Sequence, residues 1–290
     1  MIQTLLDIVI QGTLLGGLYA LFAAGLSLIF GVMRLVNLAH GDLIVLAAFL
    51  ILGLTRWLGL DLVPAALLAL PVMFAVGYVL QRGVFDAVLG QGILPPLLTT
   101  FGLSIILQNG LLEGFSADSQ RLAAGALETA SLPLGGGLAV GVLPLITFAA
   151  AVLVILGLNA IFYATPLGRA FRAVSDDPVT AQLMGIDHRR LFGLAMGLAL
   201  VVATIAALFF GIRANFDPTI GPARLIFAFE AVIIGGLGSL WGTLAGGVVL
   251  GIAQALGAAI DPEWQILAGH VAFLAVLVVR PRGLFPRAGD

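Results

Sequence analysis

The chain has 290 residues, of which 61% are hydrophobic and only 10% charged, with a mean hydropathy of +1.16 and a formal net charge of −2. Soluble domains carry about a quarter charged residues, so water is not the main solvent of this chain. The small charge, with no basic cluster interleaved with aromatics, excludes a nucleic-acid partner. The absence of cysteine excludes disulfides, iron–sulfur clusters and thiolate zinc sites. All thirteen basic residues are arginine, and a phosphate loop of the G-x-x-x-x-G-K-[ST] kind needs its lysine, so the chain carries no such ATP site.

A membrane helix takes roughly 20 apolar residues, which divides the chain into about 8–9 segments and leaves no room for a soluble catalytic domain. The fold class is therefore an all-α, polytopic membrane helix bundle, with residues 1–290 as a single transmembrane domain. No basic residue precedes Arg34, so the first apolar run lacks the start of a cleaved signal peptide and reads as retained. Apolar runs fall at Leu5 to Phe30, Leu43 to Leu54, Leu62 to Leu80, Ile93 to Leu112, Leu138 to Phe162, Leu191 to Gly211, Leu225 to Leu237, Gly242 to Ile260 and Gln265 to Val279. The positive-inside rule then sorts the arginines. Arg34, Arg82, Arg169, Arg172, Arg189, Arg190, Arg280, Arg282 and Arg287 fall on one side, and Arg56, Arg121, Arg213 and Arg224 on the other. That places the N-terminus outside and the C-terminus in the cytoplasm, with the short Leu225 segment either spanning or re-entrant.

Taken in chain order, Gly12, Gly16 and Gly17, and later Gly242, Gly246, Gly247 and Gly251, have the small-xxx-small spacing that lets helices approach closely. The stretch Gly31 to Asp42 interrupts apolar sequence with Arg34, Asn37, His40 and Asp42. It reads either as a broken helix whose free backbone groups line a cavity, or as a cytoplasmic turn capped by Asn37 or Asp42. The other histidines, His188 and His270, lie in distant segments, which disfavours His40 as a metal ligand. Pro71 and Pro144 fall inside apolar runs and are expected to kink them, whereas Pro95, Pro96, Pro166 and Pro262 look like boundary residues, Asp261 capping the helix after it. The longest external connection, Phe115 to Gly137, carries Asp118, Arg121 and Glu128 and reads as a solvated loop or a docking surface.

Between two membrane runs, residues 164–190 are far richer in charge than their flanks. Ser175, Asp176 or Asp177 can cap a short helix, Pro178 suits its first turn, Val179, Leu183 and Met184 make one apolar face, and Gly185 can close it. Asp187 offers a cap to the next membrane helix. Such a helix suits docking into another protein or packing on its own bundle. Further on, Glu230 sits inside an apolar run that ends in a glycine cluster at Gly235 and Gly236. An intramembrane carboxylate needs a pathway, a polar partner or a helix end. Gly236-x-Gly238 is no dinucleotide loop, because Trp241 occupies the third glycine position and no strand precedes it.

Gly16-Gly-Leu-Tyr-Ala-Leu through Asn37-Leu-Ala-His-Gly-Asp42, Gly168-Arg-Ala-Phe-Arg-Ala with Ala181-x-x-x-Gly185-Ile, Glu230 to Ser239, and Arg280-Pro-Arg-Gly-Leu-Phe together resemble the permeases of branched-chain amino acid ABC importers over essentially the whole chain. Similar permeases serve urea, short amides and other small amino-acid-like compounds. The resemblance implies a multi-pass permease of the bacterial inner membrane, working by alternating access. Its partners would be a second, related permease, two cytoplasmic ATPase subunits that bind ATP and Mg, a periplasmic solute-binding protein and the lipid bilayer. The chain itself would bind no cofactor and would not be an enzyme. Asp177 to Gly185 then looks like the helix that couples to the ATPases, with Arg169, Arg172, Asp177, Pro178, Ala181 and Gly185 in the coupling loop. Asn37, His40, Asp42, Glu230, Gly235 and Gly236 become candidates for pathway or helix-break positions. A proton-coupled secondary transporter using His40, Asp42 and Glu230 is the rival, and the arginine-rich docking loop argues against it.

Overall fold

The computed structural model describes residues 2–135 and 138–285, so Arg287 lies outside the described residues. The chain forms α1 (Ile2–Met33), α2 (His40–Trp57), α3 (Leu62–Gly83), α4 (Leu94–Phe115), a hairpin of β1 (Ser131–Gly135) and β2 (Leu138–Gly141), α5 (Val142–Ala164), α6 (Pro166–Asp176), α7 (Pro178–Leu183), α8 (His188–Arg213), α9 (Gly221–Gly235), α10 (Leu240–Ile260) and α11 (Trp264–Val279). Among the described residues, six helices are long and apolar enough to cross a membrane: α1, α2, α3, α5, α8 and α10. The molecule is thus a polytopic helical bundle, and the expected apolar runs match its helices closely.

Two expectations are corrected. Within the helical bundle one short hairpin forms, β1 and β2 pairing antiparallel from Ser131–Gly141 to Gly135–Leu138. The run expected from Leu138 therefore begins as strand, and α5 starts at Val142, whose N–H bonds the Ala130 carbonyl. Pro144 falls in the first turn of α5, where a missing N–H costs nothing, so it starts the helix rather than kinking it. Pro71 is interior to α3 as expected, and Pro95 and Pro166 lie in the first turns of α4 and α6. Asp261 ends α10 and accepts from the Glu263 N–H, 2.9 Å away, in the turn before α11.

Glycines set the helix pairing. A methyl group on Gly12 would lie 2.6 Å from Ile252 Cα, and one on Gly16 2.5 Å from Val248 Cα, so α1 and α10 pack antiparallel at backbone distance. The glycines of α10 divide between two partners: Gly247 and Gly251 face α1, while Gly242 and Gly246 face α9. In the same way α3 and α8 pack antiparallel, with Gly193 against Tyr78 and Gly197 against Phe74. Between these pairs α1 and α8 cross, the Phe22 and Phe210 rings meeting at 5.7 Å. α2 runs alongside α4 from Asp42–Ser104 to Phe49–Phe115, and α9 meets α11 at Glu230–His270, the segment after α11 returning to Gly235 through Phe285. The set α1, break, α2, α3, α4 therefore recurs as α8, break, α9, α10, α11 with reversed sense, an inverted internal repeat of the kind that transporters use.

The connection 116–137 is not a free solvated loop in the part described. Gln120 forms a bridge with Phe216, Arg121 Nε donates to the Ile212 carbonyl at 3.0 Å and pairs with Glu128 at 3.1 Å, and Arg56 donates to Gln120 at 2.6 Å. Buried Leu122 pins it against Gly211.

Candidate functional site

The repeat brings its two helix breaks together at the centre of the molecule. α1 ends at Met33, Arg34 turns the chain with φ 53°, and residues 35–39 run back along α1 until α2 begins at His40. The Asn37 side-chain oxygen accepts the Ala39 N–H at 3.0 Å, and His40 Nε2 bonds the Phe22 carbonyl at 2.9 Å, which makes Nε2 the protonated nitrogen. Asn37 turns the chain, and the turn is buried, with Asn37 and His40 fully enclosed. α2 thus starts well inside the bundle.

Asp42 does not cap its own helix. Its carboxylate accepts from Ser104 Oγ at 2.5 Å and from Gln108 Nε2 at 3.0 Å, both on α4. On its other side it rests against Gly221, the first residue of α9; a methyl group on Gly221 would collide with it, and one on Gly41 would collide with the Gly221 carbonyl. A carboxylate beside a helix N-terminus is favourable, so Asp42 joins α2, α4 and the start of α9. At 15 residues, α9 is about 22 Å long, too short for a hydrocarbon core of about 30 Å.

Glu230 lies buried in α9 and pairs with His270 Nδ1 of α11, the polar partner its burial requires. The Tyr19 ring stands 5.1 Å from Phe227, and its hydroxyl donates to Gln254 Oε1 at 2.5 Å. Gly235 and Gly236 end α9: Gly235 is pressed against Gly242, and Gly236 takes φ 105°, open only to glycine without strain. The terminal motif then returns, Leu284 N–H bonding the Ile234 carbonyl at 2.8 Å and Phe285 N–H that of Gly235 at 2.9 Å, so it satisfies the orphan carbonyls of α9. His40, Asp42 and Glu230 have separate partners and form no single relay.

Arg224 was grouped with the external arginines, but it sits in the first turn of α9, inside the bundle, its guanidinium 4.7 Å from the Phe210 ring centre. Sequence reasoning also passed over Ser104, Gln108 and Gly221. The i, i+4 spacing of Ser104 and Gln108 in an apolar helix was a signal. One face of α4 is open: methyl groups on Gly102, Gly110 and Gly114 would touch nothing, and Asn109 and Glu113 are exposed beside them.

The charged loop folds as its caps dictate. Thr165 accepts the Gly168 N–H at 3.1 Å to start α6. Ser175 Oγ donates to the Gly31 carbonyl at 2.7 Å, tying α6 to the end of α1. Arg172 donates to the Phe162 carbonyl and lies over the Tyr163 ring, while Arg169 is exposed. Asp177, rather than Ser175 or Asp176, caps α7, accepting from Val179 N–H at 2.9 Å and Thr180 N–H at 3.1 Å, with Pro178 next. The Thr180 hydroxyl, 2.5 Å away, and then its N–H hold the Asp177 carboxyl below the usual carboxylate range. At the other end Gly185 takes φ 83°, Gly185 N–H bonds the Gln182 carbonyl and Ile186 N–H that of Ala181, both at 3.0 Å, which is a Schellman closure. Ala181 packs inward, while Val179, Leu183 and Met184 stand bare at 69%, 83% and 79% exposure. Asp187 caps α8 through the Arg190 N–H at 3.2 Å and pairs with its guanidinium.

Residues 8–279 match the family model described as the permease component of branched-chain amino acid transport systems. The chain belongs to that family. This permease is 31% identical to BraD, the high-affinity branched-chain amino acid transport system permease protein of Pseudomonas aeruginosa, over 96% of this chain and 94% of BraD. It is 29% identical to LivH of Escherichia coli K12 over the same shares, and 28% identical to LivM of that organism over 47% of this chain and 33% of LivM. A chain of PsaBC from Streptococcus pneumoniae, solved in complex with Fab, superposes with a TM-score of 0.50 at 17% identity, covering 97% of each chain, a likeness of fold alone. The permease is a multi-pass membrane protein and a transport subunit, not an enzyme.

Proposed function

We propose that this permease is the membrane subunit of an ATP-driven importer for branched-chain or similar small amino acids in a bacterial inner membrane. The observation that carries this is α7, a helix fixed at both ends by Asp177 and Gly185 and leaving Val179, Leu183 and Met184 exposed among the described residues. A self-sufficient secondary transporter has no use for it. Two cytoplasmic ATPases, which hold ATP and Mg, receive α7 and its copy on the second permease. A periplasmic binding protein delivers the solute. The permease itself holds no cofactor, works as one domain, and has its N-terminus outside and α6–α7 in the cytoplasm with Arg169, Arg172, Arg189 and Arg190. The antiparallel pairing of α10 with α1 and of α8 with α3 supports nine crossings, the second break and α9 together carrying the chain from the end of α8 to the start of α10.

The open face of α4 supports the pairing. Glycines, Asn109 and Glu113 are poor lipid-facing residues, whereas a second permease or a watery path accommodates them. Nucleotide-driven approach of the two ATPases moves the α7 helices. Ser175 then passes that motion to the end of α1, and Asp42 links the two breaks to α4. The test is purification from the native membrane in mild detergent. Recovery of two ATPases and a related permease is expected; recovery of the chain alone, with ion-gradient-driven uptake in liposomes, rejects the importer.

A further inference from the structure

We propose that the cavity between the ends of α1 and α5 and the start of α10 binds a phosphate group, supplied by the headgroup of a membrane phospholipid. This goes beyond the importer reading and does not depend on it, since the ligand comes from the bilayer itself.

The cavity, of about 220 Å³, is lined by Ser27 and Gly31 of α1, Asn159 and Tyr163 of α5, and Ser239 to Trp241 at the start of α10. Small-molecule sites occupy about 300–1,000 Å³, so this one takes a headgroup rather than a whole solute. Ser27 is 1% exposed, and its hydroxyl is enclosed without a hydrogen-bond partner. Asn159 is half-buried, and its amide bonds nothing among the described residues. Ser239 Oγ accepts the Gly242 N–H at 3.1 Å, which leaves the Leu240 and Trp241 N–H groups as the orphans of the first turn of α10. Two unpartnered side chains and two free N–H groups, on a helix of 21 residues, thus share one cavity. Such a donor set at a helix N-terminus suits an anion, above all the oxygens of a phosphate.

Among the described residues no acid lines the cavity. Asp176, next to Ser175 on α6, is exposed and outside the lining, whereas the Arg172 guanidinium lies 5.1 Å from the centre of the Tyr163 ring. Position argues for a lipid rather than a free ion. Tyr163 and Trp241 are the two exposed residues of the lining, and both are of the aromatic types that gather at the membrane–water boundary. From Asn159, Leu156 and Leu153 follow at about one and two turns back along α5, both exposed, and offer the acyl chains an apolar track. The headgroup also sits behind the coupling loop, since Ser175 and Arg172 of α6 donate to the carbonyls of Gly31 and Phe162, both in the cavity wall.

The experiment is native mass spectrometry of the detergent-purified permease, with the subunits that accompany it, in the presence of phosphatidylglycerol. Diacylglycerol with the same chains, which lacks the phosphate, and inorganic phosphate are the comparison ligands. Wild type is expected to retain phosphatidylglycerol about tenfold more strongly than diacylglycerol. Asn159→Leu and Ser27→Ala should each lose several-fold of that preference, and inorganic phosphate should leave the bound lipid in place. Equal retention of both lipids by wild type overturns the site, as does an unchanged preference in both variants. Displacement of the lipid by millimolar inorganic phosphate overturns the lipid source and assigns the cavity to a free ion. Equal weakening of both lipids in the variants marks the two side chains as structural and overturns their role. Should Asn159→Leu not yield monodisperse protein, Ser27→Ala decides, and full wild-type preference there overturns the proposal. No readout uses ATP or solute, so failure of the importer reading leaves this outcome legible.

Discussion

Asp42 joins three elements in the bundle interior. Its two oxygens satisfy Ser104 and Gln108, and its carboxylate lies against the first turn of α9. Asp42→Ala would take the acceptor from the Ser104 hydroxyl and leave Gln108 only its bond to Ser104 Oγ, and a buried donor left unpaired costs about 1–3 kcal/mol. A lower thermal midpoint of the detergent-solubilised complex is therefore expected, together with reduced transport. Gly221→Ala tests the same joint from the other side. The added methyl meets Asp42, and overpacking of this kind costs about 1–3 kcal/mol. A Gly221→Ala variant as stable as wild type, measured by the same melt, would show that the two half-helices do not meet as described. At this scale the sequence named Asn37, His40, Asp42 and Glu230 as residues needing explanation, because polar groups in apolar runs are visible locally. Their partners were not visible: Ser104, Gln108, Phe22 and His270 lie far along the chain, and nothing local couples them.

At the scale of elements, α7 was legible except for its cap, which the sequence left open among Ser175, Asp176 and Asp177, since caps are short-range chemistry. Pro178 takes the first turn and Gly185 closes the helix, as their positions predict. Gly185→Val forces a β-branched residue into φ 83°, at a cost of roughly 1–3 kcal/mol, and frays the last turn. Pull-down of the ATPases by the variant is expected to fall sharply while the amount inserted in membranes stays the same. The cap also predicts a pH response. The Asp177 carboxyl is depressed in the folded protein, so its contribution is complete above the ordinary carboxylate pKa and is lost as pH falls through the folded value. Protection of the Val179 and Thr180 amides, taken relative to their intrinsic exchange rates, should fall as pH drops below the ordinary carboxylate range, and Asp177→Ala should show that lower protection at neutral pH as well. The hairpin β1–β2 was missed, because its short apolar strand runs directly into α5 and hydropathy alone does not separate the two.

For the molecule as a whole, the glycine contacts distinguish the inner seams from the outer face. Gly16 packs on the α10 backbone, whereas a side chain at Gly102 on α4 meets only open space within the chain. Gly16→Leu should therefore prevent the halves from closing and yield no monodisperse protein. Gly102→Leu should fold normally but weaken pairing with the second permease, read as a shift from complex to single permease on size-exclusion chromatography.

The sequence by itself determined that the chain is a membrane bundle, where its helices lie, how α7 is capped and which family it resembles. The first three follow from composition, periodicity and caps, which act over a few residues, and the last is a resemblance carried by motifs spread along the chain. Only the tertiary structure decided that the two breaks face each other at Gly41 and Gly221, that Glu230 is matched by His270, that the terminal motif closes α9, and that Arg224 lies inside rather than at the external surface. Each of these depends on helices from opposite halves packing at backbone distance, and that pairing is set by contacts between residues far apart in the chain.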